Sequence, residues 1–291
     1  MTRLARLTQL GLASLALCVA APSMGAEPLP FGPGEQLTLR ITYLHLLGGR
    51  ATLSVLPAEH RGAPVMQFVA EARSQGFFAW LFRFRVRDRT VAIWDPGPGC
   101  SLAIVKQLNE GRAHRDQRVS FDPTTGRAEV FDRKVEQRFF EVGPCALDVL
   151  SALFVARRRG FPEDDSMTLP LFDNGKRYEL GLRFLGRERL DLPEPLGRDV
   201  PTVIIEPLLQ AGTGLFVKKG RLKIWFTDDE RRVPVRIRTK VAIGSVSADL
   251  ESYTPPSAEP SAEPSAAPLS AEAPAPDPDS GGPAGASGPG T

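Results

Sequence analysis

The chain has 291 residues, with 36 basic and 34 acidic side chains and a formal charge of +2. Two arginines and no acid lie in residues 1–26, and five acids and no base follow Tyr253, so residues 27–253 carry about +5. That balance is too weakly basic for a nucleic-acid-binding domain, and no nucleic-acid partner is expected.

The first 26 residues read as a secretory signal peptide. Arg3 and Arg6 form the positive start, Leu7 to Ala21 is an apolar run, and Ala26-Glu27 is a plausible cleavage point. The run is too short for a transmembrane helix, which needs about 20 apolar residues. Cys18 follows Leu15-Ala16-Leu17, where a lipid-attachment site asks for a small residue in place of Leu17. The expected destination is therefore the periplasm without a lipid anchor.

Residues 27–253 read as one β-rich domain, of a size that a single large β fold reaches. Leu37, Leu39, Ile41 and Tyr43 alternate along a first strand, and Gly48-Gly49 predicts a tight hairpin before Ala51-Leu53-Val55. Short strands are expected over 65–72, 86–94, 101–108, 118–121 and 135–142. Asp122-Pro123-Thr124-Thr125-Gly126 is a turn, because Pro presets φ and Gly supplies a left-handed residue. Asp173-Asn174-Gly175-Lys176 predicts another hairpin. Later strands follow over 178–185, 200–208, 221–226, 233–241 and 246–253, with Asp228 to Arg231 as a polar turn. About a dozen strands at this spacing imply a large antiparallel curved sheet or a barrel-like body.

One helix interrupts the strands. Pro144 suits a first turn, Leu147, Leu150, Leu153 and Phe154 share a stripe, and Arg157-Arg158-Arg159 places cations at the negative end of the helix dipole. Gly160 and Pro162 stop it. A short apolar helix in such a body is expected to pack into one end of the sheet.

Cys100 and Cys145 remain after signal removal, and in an oxidising compartment the pair suggests one disulfide. Two separate thiols are the alternative. A bridge over this span would contribute about 4 kcal/mol, less any strain.

Residues 254–291 hold ten of the 27 prolines, no aromatic residue and one large aliphatic, Leu269. Such a segment cannot bury enough apolar area to offset its ordering entropy, so a disordered tail is expected.

Several stretches resemble the bacterial exported proteins grouped as domain of unknown function 3108. They are Asp148-Val149-Leu150-Ser151-Ala152-Leu153, Leu171-Phe172-Asp173-Asn174-Gly175-Lys176, Val217 to Trp225 with Thr227-Asp228-Asp229, Pro234-Val235-Arg236, and Gly244-Ser245-Val246. The resemblance spans roughly residues 31–253 and implies an exported, mostly antiparallel β fold. It implies no activity and no site residue.

The candidate chemistry is sparse. His45, His60 and His114 are scattered without paired spacing, so no metal and no other cofactor is expected. No strand–Gly-x-Ser-x-Gly–helix elbow occurs, and Asp228-Asp229 is a turn pair rather than an acid/base pair, so no catalytic residue and no enzyme is expected. Phe77, Phe78, Trp80, Leu81 and Phe82 crowd five large apolar side chains into six positions. They are candidates to cap the core or to gate a ligand at the mouth of a β cavity.

Arg83, Arg85, Arg87 and Arg89 alternate on one face of a strand, as do Arg236, Arg238 and Lys240, and Arg221 and Lys223. Apolar residues take the opposite positions: Phe84 and Val86, Val235 and Ile237, Leu222 and Ile224. These basic faces are candidates for contact with an anionic lipid surface, or are solvated and balanced by Glu71, Asp249 and Glu251. Glu206, among apolar neighbours, needs a partner such as Lys219 if buried. The reading that follows is a non-enzymatic protein binding an apolar or lipid-like ligand in a β cavity. An envelope structural or assembly protein that acts through protein partners is the alternative.

Overall fold

The computed structural model describes residues 28–44, 46–75, 85–111, 113–132, 135–161, 163, 167–210, 222–241 and 244–257. The expected signal peptide and nearly all of the expected tail lie outside these residues. Among the described residues are fourteen strands: β1 (Gln36–Tyr43), β2 (Leu46–His60), β3 (Ala63–Ser74), β4 (Arg87–Asp95), β5 (Cys100–Glu110), β6 (Ala113–Asp122), β7 (Arg127–Asp132), β8 (Val135–Glu141), β9 (Met167–Asp173), β10 (Lys176–Leu190), β11 (Val200–Gln210), β12 (Leu222–Thr227), β13 (Pro234–Lys240) and β14 (Ser245–Thr254). One helix, α1 (Val149–Arg159), stands between β8 and β9.

The strands form one antiparallel, curved sheet in the order β8-β7-β6-β5-β4-β3-β2-β1-β14-β13-β12-β11-β10-β9. Every strand lies beside its neighbours in the chain, apart from the break at α1, and the first strand closes against the last. Leu37 faces Tyr253 and Ile41 faces Ala248 across that closure. The two edges are β8 and β9, and the chain passes from one to the other through α1. Leu147 bridges to Leu171 of β9, with its N–H on the Pro170 carbonyl at 2.9 Å.

Two strands escape the sequence pattern. In β7, Ala128 and Val130 are buried while Phe131 is 56% exposed, so the apolar alternation is blurred. In β9, Pro170 argues against a strand, but an edge strand tolerates a residue that cannot donate to the ladder. The expected Gly48-Gly49 hairpin is also displaced. The turn falls at Leu44, which takes φ +49°, and both glycines lie inside β2. Gly49 is needed there for close approach, since a Cβ would run into the Arg73 carbonyl of β3. The Asn174-Gly175 hairpin forms as expected, with φ of +50° and +73° at its two central residues.

The helix begins later than the sequence suggests. Pro144 and Cys145 form a turn, and Asp148 caps α1 by accepting from the N–H groups of Leu150 and Ser151. The same carboxylate accepts the hydroxyls of Ser101 and Ser151 at 2.6 Å each. Ser151 thus joins Asp148 and Ser101 in a polar clasp. Gly160 ends the helix, as expected.

Cys100 and Cys145 form a disulfide with a Cα–Cα distance of 4.6 Å. It ties the start of β5 to the turn before α1. Cys100→Ser with Cys145→Ser is expected to cost about 2–4 kcal/mol of unfolding free energy, read by urea denaturation. An unchanged midpoint would mean that the native contacts alone hold this turn.

The core follows from the curvature. Phe68 of β3 stacks on Phe154 of α1 at 3.7 Å between ring centroids, and Phe31 meets Phe154 edge-on at 4.8 Å. Trp94 of β4 joins them, fully buried. The C-terminal end of α1 is locked to the rim that carries the 28–35 segment and the 228–233 turn. Arg157, with no exposed side-chain surface, binds both carboxylate oxygens of Glu35 at 2.8 Å and the carbonyls of Pro30 and Arg231. Tyr253 donates its hydroxyl to the same Glu35, and burial, with that carboxylate, pushes the phenol above its ordinary pKa. The sequence places Arg157 at the negative dipole end of a helix. Only the fold shows it as the buried anchor of that end.

Candidate functional site

Packing α1 against one rim leaves space between it and the rest of the concave face. A cavity of about 410 Å3 lies there. Val149, Leu150 and Leu153 of α1 line one wall; Ile104 and Leu108 of β5, Leu180 and Leu182 of β10, Ile205 of β11, Ile224 and Phe226 of β12 and Ile237 of β13 line the others. Strand alternation explains the lining: Leu222, Ile224 and Phe226 share one face of β12, while Lys223 and Trp225 take the other. The predicted helix stripe divides. Leu150 and Leu153 face the cavity, and Phe154 faces the aromatic core.

Polar groups gather toward the rim opposite Arg157. Lys106 of β5 pairs with Asp173 of β9, their side chains 14% and 4% exposed. Asn174 donates to the other Asp173 oxygen at 2.7 Å. Arg115 of β6 lies 3.8 Å from Asp132 of β7, and Thr90 of β4 completes the lining. Burial raises the pKa of the nearby Tyr178, and the negative Asp173 adds to the effect. Sequence reasoning missed Lys106 and Arg115. The signal existed: Lys106 is in phase with Ile104 and Leu108, and Arg115 with Gln117, Val119 and Phe121, all inward or buried.

The expected gate, Phe77, Phe78, Trp80, Leu81 and Phe82, lies outside the described residues, as does Arg83. The residues that border it, Gln75 and Arg85, sit at the rim of Lys106 and Arg115. Gln75 N–H bonds the Gly48 carbonyl, and the Arg85 carbonyl accepts from Gly111 in the β5–β6 turn.

The basic candidates are not brought together. Arg85 and Arg87 are exposed at the start of β4. Arg236 and Arg238 are on β13, five strands away in the sheet order, or about 24 Å at the spacing of neighbouring strands. Arg89 pairs with Glu71 at 3.2 Å and Arg236 with Asp249. Both Arg236 and Arg238 lie over the Trp225 ring, at 5.9 and 5.7 Å, and Trp225 Nε1 donates to Glu188 at 2.7 Å. Glu251 accepts from Arg40 at 2.8 Å and Arg50 at 2.9 Å.

Hydrogen bonds from Arg50 and then Arg40 hold the Glu251 carboxyl down to about 2, against 4.5 ordinarily. A depressed folded-state pKa gives stability that is present above 4.5 and lost as pH falls toward 2. Glu251→Gln should therefore flatten that acid limb of the urea midpoint against pH. An unchanged limb would show that these bonds are broken in solution.

Other candidates resolve locally. Glu206 takes Arg183, its cross-strand neighbour on β10, whereas the expected Lys219 lies outside the described residues. Asp229 accepts from Thr227, Arg231 and Arg232 within its turn, and Asp228 binds Arg187 at 2.9 Å. Among the described residues no three His, Cys, Asp or Glu side chains converge as metal ligands.

A family described as protein of unknown function (DUF3108) matches residues 38–251. The chain belongs to this family. The match begins within β1 and ends within β14, and so takes in the other twelve described strands of the DUF3108 sheet and its helix. A crystal structure of a beta-barrel-like protein of domain of unknown function DUF1849 from Brucella abortus is similar in fold, with a TM-score of 0.50 at 7% identity. The similarity covers 75% of the DUF3108 chain and 96% of the other, and it concerns the fold alone. No curated protein matches the chain.

Proposed function

We propose that this DUF3108 protein is an exported, non-catalytic binding protein that holds an apolar, lipid-like molecule between α1 and the concave face of the sheet. The observation that carries the reading is the cavity. Its size lies in the range of small-ligand sites, and its lining is apolar with a few polar groups at one end, the usual composition of such sites. The disulfide is compatible with an oxidising compartment, which suits the expected export.

Native mass spectrometry of the full chain, purified without detergent, tests this. A reproducible adduct of lipid mass is expected. It should be lost in Ala70→Phe and Leu150→Trp, which grow side chains into the cavity. A bare mass that persists after incubation with lipid extract would overturn the reading.

A second reading, docking to an envelope protein, has one observation in its favour. Leu44, Leu46, Leu47 and Val241 are 38–56% exposed at adjoining hairpin tips, an unusual density of large apolar side chains in solvent. Leu46→Asp with Leu47→Asp should then abolish chemical crosslinking to envelope proteins while leaving any lipid adduct intact. Equal crosslinking by the variant would remove this reading.

A further inference from the structure

Resting on the cavity-binding reading, we infer that the ligand is a single-chain amphiphile with an anionic head, its chain in the aliphatic cavity and its head at Lys106 and Arg115.

The size comes first. A cavity of about 410 Å3 is in the lower half of the range of small-ligand sites, which suits one acyl chain of medium length better than the two chains of a membrane phospholipid.

The head follows from the charges. Among the described residues, the ionisable side chains that line the cavity are Lys106, Arg115 and Asp173, with Asp132 beside Arg115. Asp173 is occupied by Lys106 and Asn174. Among the described residues Arg115 meets Asp132 at 3.8 Å, too long for a hydrogen bond, so its fork can still bind an oxyanion in two-point fashion. Asp88, on the same side of β4 as Thr90, is held by the N–H of Asn109. Gln117, the cross-strand neighbour of Lys106, buries an Oε1 that has no hydrogen-bond partner among the described residues. Buried acceptors are normally satisfied, so this oxygen calls for a donor such as a water, which the anionic head itself does not supply.

The remaining walls support one orientation. Among the described residues the lining from Ile104 inward to Val149, Leu150 and Leu153 carries no charged side chain, so a charged head placed there would be desolvated without a partner. The head must sit at the rim end.

Displacement of the neutral apolar dye N-phenyl-1-naphthylamine from the full chain tests the inference. Saturable dye binding is the expected sign that the cavity takes apolar molecules. Tetradecanoate should then displace the dye about tenfold better than tetradecanol, the gain of a charge-assisted hydrogen bond. Dipalmitoyl phosphatidylglycerol should displace it poorly.

Arg115→Gln and Lys106→Met should each bring the competition by tetradecanoate down to that of tetradecanol, so that the ratio of the two falls from about ten to about one. Arg115 is 42% exposed, so its replacement keeps the test readable if Lys106→Met fails to fold. Equal competition by acid and alcohol in the wild type would overturn the head assignment while the cavity reading stands. Strong competition by the two-chain lipid would overturn the single-chain assignment. No dye binding at all would overturn the cavity reading itself.

Discussion

Arg157→Met is expected to lower the unfolding free energy by about 3–5 kcal/mol, the usual cost of leaving one member of a buried ion pair alone. The reason is the number of groups that depend on one guanidinium. It supplies both oxygens of Glu35, the carbonyl of Pro30 and the carbonyl of Arg231, and neither it nor Glu35 touches solvent. Phe31 and Phe154 flank it at 5.3 and 5.4 Å, so water cannot easily take its place. Removing it leaves a carboxylate in that setting with, among the described residues, the Tyr253 hydroxyl alone.

The double change Glu35→Met with Arg157→Met removes both charges and should cost clearly less than the two single changes added together. Urea denaturation of the four proteins gives the coupling. A single-variant loss under about 1 kcal/mol would show that water enters this rim and that the pair does not anchor α1.

Phe154→Ala is expected to cost about 3–5 kcal/mol as well, by loss of transfer free energy and creation of a void. Phe154 is fully buried and stacks on Phe68 with the planes 9° apart, while Phe31 closes its edge. The walls of the void would be strands held on both sides by the sheet ladder, so little collapse is available. Phe154 faces away from the cavity. Dye binding by the folded fraction should therefore persist, and its loss would mean that the helix itself shifts. A loss of stability under about 1.5 kcal/mol would show that the aromatic cluster repacks.

Much of the fold was legible because strand alternation is a local signal. Leu37 and Leu39 of β1, and Val235 and Ile237 of β13, point inward as their spacing predicts. The turns at Asp122 and Asn174 also form where their residues demand, because turn chemistry acts within four residues. The failures have non-local causes. Pro170 is allowed in β9 only because that strand is an edge. Gly48-Gly49 has hairpin chemistry, but Gly49 is spent on the approach of β3. Lys106 and Arg115 look like ordinary strand cations, and their inward direction becomes meaningful only when α1 leaves the far end of the concave face unfilled.

The same division holds for function. Periodicity of two and the turn residues were enough to indicate a large antiparallel β body with one helix, since each depends on neighbours in the chain, while the cysteine pair only suggested the disulfide that the fold forms. The Lys106–Asp173 pair at the end of the cavity joins residues 67 positions apart, and the buried Arg157–Glu35 anchor joins residues 122 apart. Their formation depends on how fourteen strands curve and on which end of the curve the helix fills. Those are properties of packed volume, and no window of sequence encodes a volume.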